Sequence, residues 1–212
     1  MSATVLYMSM SLDGFIAGPN ESPENGLGDG GDRLHDWLWS DTEPGGPSGV
    51  PGRPSGVNGQ IYDEFMSTGA VVAGRGTFEP AGGWGGDHHD GVPIFVVARH
   101  KPGIDISRWP LVSYVDDVTA AMTRAKEAAG DKNVLVHGAG VTRLALAAGV
   151  LEELELHVVP VLFGQAAGCS RASLPSRSSC SPPASSRARM VSATCITASS
   201  SEPSAPPSDR RS

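Results

Sequence analysis

The sequence predicts an α/β domain built on a largely parallel sheet, and three observations carry that prediction. Continuous apolar runs at AVVAG (Ala70 to Gly74) and VPIFVVA (Val92 to Ala98) have the length of strands buried on both faces. They alternate with segments of helical spacing, QIYDEFMSTG and DVTAAMTRAKEAA, which Gly69 and Gly130 terminate. The chain has 212 residues, 39% of them hydrophobic, which suits one core better than two.

The elements follow in order. Val5 to Gly18 (VLYMSMSLDGFIAG) mixes β-branched and apolar residues up to a Gly-Pro turn, and reads as a buried first strand and a loop. Asn20 to Gly59 is rich in Gly and Pro. Its one apolar patch, Leu34 to Trp39, can form a short helix with Leu34, Trp37 and Leu38 on one face. The rest reads as a long irregular loop, and loops of that size are functional or disordered. The helix ending at Gly69 leads into the strand Ala70–Gly74, then Val92 to Ala98 and a weaker third strand, Leu111 to Val115. A helix from Asp116, a strand at NVLVHGAG, a helix at VTRLALAAGV and a strand over Glu153 to Gly164 complete the alternation. Beyond Gly164 the pattern stops. Residues 165–212 hold fifteen Ser in 48 positions with no apolar periodicity, so they are expected to be a disordered Ser/Pro/Arg-rich tail separate from the domain at 1–164.

Charge divides the chain at the same point. The net charge is −7; the tail has six Arg against two acids, +4, which leaves −11 on residues 1–164. An acidic body argues against nucleic-acid binding, which needs a clustered basic face. All three cysteines (Cys169, Cys180, Cys195) lie in the tail, so a disulfide scaffold is not expected. Asp13 interrupts the first apolar run; no membrane span or leader is expected, and the reading is cytoplasmic.

Three strand ends carry groups able to meet phosphate. In HGAGVT (His137 to Thr142) a glycine turn opens a helix, where backbone N–H groups and the helix dipole favour an anion; Gly138 and Gly140 can equally serve tight turning alone. In AGRGTFE, Arg75 offers a fork of donors and Thr77 a hydroxyl, or else a surface Arg and a helix cap. VVARHKP places Arg99, His100 and Lys101 at a third strand end, as a solvated loop or as a site for an extra phosphate. Ligands of α/β sheets bind at the carboxyl ends of strands, which draws the three together. In GGWGGDHHDG, His88, His89 and Asp90 are adjacent, unsupported by Cys and flanked by Gly. A flexible loop is expected there, and no metal. No Gly-x-Ser-x-Gly elbow or Cys–His pairing supports covalent hydrolysis. Asp13 in SLDG can orient a substrate, relay a proton, or simply hold its own turn.

Taken in order, SLDGFIAG, VVAGRGTFE, VPIFVVARHKP and NVLVHGAGVTRLALAAGVLEELELHVVPVLFG make residues 4 to 164 resemble a known family. It is the family of bacterial dihydrofolate-reductase-like proteins related to the C-terminal reductase domain of the bifunctional riboflavin biosynthesis protein. The resemblance implies a three-layer α/β/α dihydrofolate-reductase-like domain around a mixed, mostly parallel sheet, commonly a homodimer, that binds NADPH. It assigns Gly74, Arg75 and Thr77 to the cofactor's phosphates, and Arg99 to the neighbourhood of the 2′-phosphate. Gly138, Ala139, Gly140, Val141 and Thr142 match the turn under the pyrophosphate, with Ala139 standing where relatives have a second adjacent glycine. Ala17 matches a contact to the nicotinamide amide, while Asp13 and Trp37 would flank the substrate. The implied activity is hydride transfer from NADPH to a heterocyclic or ribosylaminopyrimidine-like small molecule, as in 5-amino-6-(5-phosphoribosylamino)uracil reductase. Dihydrofolate reduction is the second enzymatic reading; NADPH binding without turnover and an inactive truncated product are the others. The loop Asn20 to Gly59 would be a substrate lid.

After Gly164 the resemblance breaks. Relatives continue with a GRRLF-like stretch and two strands, the last holding a G-V-x-H pattern. In a frame displaced by one base, AAGCSRAS can be encoded to read GRRLFEG, and ARMVSATCIT to read HGVGDVHH. The tail is therefore expected to be a frame-shifted replacement of those strands, which would then be missing from the sheet.

Overall fold

The computed structural model describes residues 2–22, 24–39, 53–100, 103–164 and 187–192. Seven strands form one sheet: β1 (Thr4–Ser11), β2 (Ala70–Gly74), β3 (Ile94–Val97), β4 (Val112–Val115), β5 (Val134–His137), β6 (Glu153–Val159) and β7 (Arg187–Ser192). Their order is β4-β3-β2-β5-β1-β6-β7, and every pairing between them is parallel. The antiparallel part expected of a mixed sheet is not present among the described strands.

Helices α2 (Gly56–Met66) and α3 (Arg75–Phe78) lie on one face of the sheet, and α4 (Val118–Ala129) and α5 (Ala139–Ala147) on the other. The short α1 (Asp36–Trp39) joins Ile61, Val159 and Val161 in a third cluster at one end. Strand alternation explains the layering. Val72, Val134 and Val136 meet Ala121, Met122, Ala125 and Ala145 of α4 and α5, whereas Val71, Ala73, Ile94 and Leu135 meet Phe65, Phe78 and Trp109. Val71 and Val72 are neighbours pointing to opposite faces, yet each is fully buried. Both faces of β2 are thus covered, and each such valine contributes about 1.5–3 kcal/mol. The apolar runs in the sequence reflect this double burial.

The connections create a crevice. From β2 the chain steps outward to β3 and β4, crosses back through α4 to β5 between β2 and β1, and leaves through α5 to β6 beyond β1. The elements following β2 and β5, α3 and α5, therefore depart to opposite faces from neighbouring strands. That divergence opens a gap at the carboxyl edge of the sheet.

Two expectations change. Within the tail read as disordered and without sheet strands, Arg187–Ser192 forms β7 along β6, in the register Glu153↔Arg187 to Val158↔Ser192. An open sheet edge offers unpaired N–H and C=O groups, which an extended segment satisfies through its backbone whatever its side-chain pattern. Residues 165–186 and 193–212 lie outside the described residues. The segment GGWGGDHHDG, expected to be flexible, is packed. Gly83 (φ 61°) and Gly86 (φ 89°) lie against the Trp109 ring, where any Cβ would collide. His89 is buried with Nε2 3.0 Å from Thr68 Oγ1, and the Nδ1 atoms of His88 and His89 are 2.7 Å apart. No helix among the described residues is long and apolar enough to cross a membrane.

Candidate functional site

Two cavities open along the crevice and share Gly76. The first, of about 400 Å³, lies between the ends of β2 and β3 and the start of α5. Gly74, Arg75, Arg99, Gly140 and Val141 of the sequence-derived set line it. So do His100 and Arg143, and three guanidinium groups thus rim one hollow of a chain whose body carries a net negative charge. Opposing acids are partly committed: Asp117 Oδ1 accepts from Ala120 N at 2.8 Å and caps α4. Arg75 Nε lies 3.9 Å from Glu79 Oε2, a long and half-exposed contact that leaves its donors available.

The floor of this hollow is backbone. α5 has Gly138 as its N-cap residue, with no side-chain cap bond, so its first N–H groups have no partner within the helix. A Cβ at Gly76 or Gly140 would touch nothing within 4 Å. These glycines are not required by packing, and their lack of side chain keeps the hollow open to a close approach. Gly138 differs: its φ is 106°, and a Cβ there would run into Thr77 Oγ1. The strand-to-helix turn and the start of α3 are in contact for that reason.

The second cavity, about 560 Å³, lies between the end of β1, the loop that follows it, α3 and the end of β5. Ala17, Thr77 and Gly138 of the sequence-derived set line it, with Met8, Ile16, Leu27 and Trp84 as apolar walls. The loop is shaped by Gly18 N donating to Leu27 O (2.7 Å) and Asp29 N donating to Pro19 O (2.7 Å). Glu21, Glu24 and Asp32 stand at its rim, and partial burial raises the Glu21 carboxyl above its ordinary range. Two histidines complete the wall. Burial pushes His137 down to about 4 and also lowers His35; the Nδ1 of each is shielded from solvent without a hydrogen-bond partner.

Four sequence-derived residues fall outside the cavity walls. Ala139 lines neither cavity, and Thr142 turns its hydroxyl back to the Gly138 carbonyl at 2.8 Å. Asp13 accepts hydrogen bonds from Ser11 Oγ (2.6 Å), Phe163 N (3.1 Å) and Gly164 N (2.7 Å); the Ser11 hydroxyl above all holds its pKa below the usual carboxylate value. It fastens the segment after β6 and lines neither cavity. Trp37 is buried, donates from Nε1 to Ser9 Oγ at 3.0 Å, and packs edge-on against His157. Sequence reading missed Gly76, Arg143, His35, His137, Glu21 and Asp32 as cavity residues. Arg143 carried a signal, a basic side chain one turn into the glycine-initiated helix. Gly76 and His137 stand in the strand-end motifs AGRGTFE and HGAGVT; Glu21, Asp32 and His35 had no signal, because their convergence depends on how the loop after β1 folds. No cluster of metal-competent side chains occurs among the described residues.

A doubly covered parallel sheet, with a basic hollow and an open helix terminus beside an apolar cavity at its switch point, defines the class, an α/β domain. The comparisons narrow this. The RibD C-terminal domain matches residues 3–181, and the chain belongs to that family, whose members are in general reductases. Among solved structures, a protein from Shewanella sp. PV-4 whose name assigns it to riboflavin biosynthesis is similar in fold. The two are 18% identical over 79% of this chain and 82% of the other, with a TM-score of 0.53. No curated protein matches the chain in sequence.

Proposed function

We propose that the protein is an NADPH-dependent reductase, with the cofactor's phosphates in the basic hollow and the reacting end in the apolar cavity. One observation carries the reading: the two cavities meet at Gly76, so a single extended ligand can put its charged end against Arg75, Arg99 and Arg143 and its flat end beside Ala17. The residues fit a dinucleotide. Gly76 and Gly140 leave room for a pyrophosphate against backbone, and the N–H groups of α5 point at it with the helix dipole. Arg99 supplies a charge for the 2′-phosphate, and Arg143 extends that basic rim. When bound, NADPH supplies the hydride. The protein positions both reactants and excludes water, through Met8, Ile16, Leu27 and Trp84, and a neutral His137 contributes no charge to the reacting end. The substrate class supported by family membership is a ribosylaminopyrimidine-like heterocycle of riboflavin biosynthesis, with dihydrofolate as the alternative.

Titration of the full chain with NADPH, followed by quenching of tryptophan fluorescence, tests the assignment. NADPH is expected to bind at least about tenfold more tightly than NADH, since a paired phosphate of this kind is worth about 1.4 kcal/mol or more. Arg99→Ala should erase that preference, and Arg75→Ala should weaken both cofactors. Equal affinity of the unaltered chain for NADPH and NADH would overturn the role of Arg99.

A further inference from the structure

Resting on the reductase reading, we propose that His35 is the acid that delivers the proton accompanying the hydride. The reduction adds a hydride from NADPH to the carbon of a C=N or C=O bond and a proton to its heteroatom, so each NADPH oxidised consumes one proton. Apolar walls that exclude water also exclude the simplest donor, and the proton needs a source within the cavity. The titratable residues lining it are Glu21, Glu24, Asp32, His35 and His137. The three acids are exposed at the rim, whereas the two rings stand in the wall with Nδ1 shielded and unbonded.

The local sequence places His35 there. Leu34 and Trp37 on either side of it are buried, while Asp32 and Asp36 are exposed. The backbone at His35 is fixed twice: its N–H donates to Asp32 O at 2.8 Å, and its carbonyl accepts from Leu38 N at 2.9 Å. A ring pinned between two core anchors and flanked by two surface carboxylates joins the cavity to solvent. Its surroundings suit a proton that comes and goes. Burial disfavours the charged ring most, Asp32 and Asp36 favour it, and His157 of β6 opposes it; the exposed Arg33 beside Asp32 is not among the groups that act on it. His137 of β5 has no carboxylate acting on it, and His35 itself opposes its protonation. Two neighbouring rings do not both charge, so of this pair His35 takes the proton. His157 lies outside the cavity wall, with Nε2 3.2 Å from Glu155 Oε1 and its ring against Trp37. In the step itself an imidazolium N–H bond breaks and an N–H or O–H bond forms on the acceptor. The neutral ring then recovers a proton from water past Asp32 or Asp36. A ring held below its ordinary 6.5 is a ready donor, but one that is charged less often as pH rises.

The test uses the full chain with NADPH and 5-amino-6-(5-phosphoribosylamino)uracil as acceptor, beside an NMR titration of the histidine rings with NADP+ bound. The kcat, read from NADPH oxidation, should fall as pH rises, with the midpoint at which the His35 ring loses its proton by NMR. His35→Gln should lower kcat at least about a hundredfold and remove that limb. It should leave KM and NADPH affinity within about twofold. Glu21→Gln should keep the limb. The match of the two midpoints decides the matter even where His35→Gln fails to fold. A limb that survives in His35→Gln or vanishes in Glu21→Gln overturns the proposal. So do midpoints that disagree, and an acceptor left unreduced by a chain that holds NADPH. Failure of the unaltered chain to bind NADPH overturns the reductase reading instead, which keeps the two failures apart.

Discussion

At the scale of residues, the buried histidines make the site an acid-sensitive part of the fold. His137 is pushed down to about 4 from 6.5 by desolvation, and His88, His89 and His35 are lowered for the same first cause. The unfolded chain therefore binds more protons than the folded one below pH 6.5, so stability falls as the medium is acidified. The contribution is complete above the unfolded value near 6.5 and is lost as pH falls through about 4. For His137 alone the loss amounts to roughly 3 kcal/mol at most, from about 1.4 kcal/mol per unit. Urea midpoints measured from pH 7.5 to 4 should decline through this window, and His137→Gln should flatten the decline. A midpoint independent of pH over the same range would exclude the neutral, desolvated histidine as a determinant of stability. The same side chain shows why the cavity was hard to read in advance: a histidine ending an apolar strand looks like punctuation, and only the loop after β1 makes it a wall.

At the scale of elements, the glycine turn entering α5 separates two reasons for a glycine. Gly138 is needed by the backbone, with φ of 106° and Thr77 where a Cβ would be. Gly138→Ala is expected to destabilise by about 1–3 kcal/mol and to impair NADPH binding with it. Gly140 has open space instead, and within a helix alanine is intrinsically better by up to about 1 kcal/mol. Gly140→Ala should thus leave or raise the melting temperature while reducing NADPH affinity about tenfold, because the methyl group occupies the approach to the backbone. If Gly140→Ala binds NADPH as the unaltered chain does, the pyrophosphate does not lie there. The strands and helices themselves were legible, since doubly buried runs and helical periodicity recur in short alternation; α2 merely begins at Gly56, earlier than its apolar spacing suggested. The lining of the basic hollow was legible for a related reason, because its glycines and arginines stand at strand ends. The apolar end was not. Trp37 has the composition of a substrate platform, yet its Nε1 finds Ser9 in the core, and Asp13 is spent on the segment after β6.

At the scale of the whole molecule, the question is what closes the sheet beyond β6. β6 pairs with β1 along its whole length and is fastened at its exit by Asp13. Its other edge meets only β7 among the described residues, in parallel. Parallel neighbours need a crossover that covers a face, normally a helix, and the sequence between Val159 and Arg187 is Ser- and Pro-rich without helical periodicity. The family match nevertheless continues past Gly164 to residue 181. Composition changes at the same place: every cysteine lies after it, and the charge turns from −11 to +4. The change in composition fits a one-base displacement, since in the displaced frame AAGCSRAS can be encoded to read GRRLFEG and ARMVSATCIT to read HGVGDVHH. Sequencing the gene across codons 160 to 170 is expected to reveal that displacement, and a chain expressed in the restored frame should melt at a higher temperature than this one. A continuous frame that encodes the Ser-rich tail would sink the idea. It would leave β7, an extended segment recruited to an open edge, as the protein's own way of covering β6.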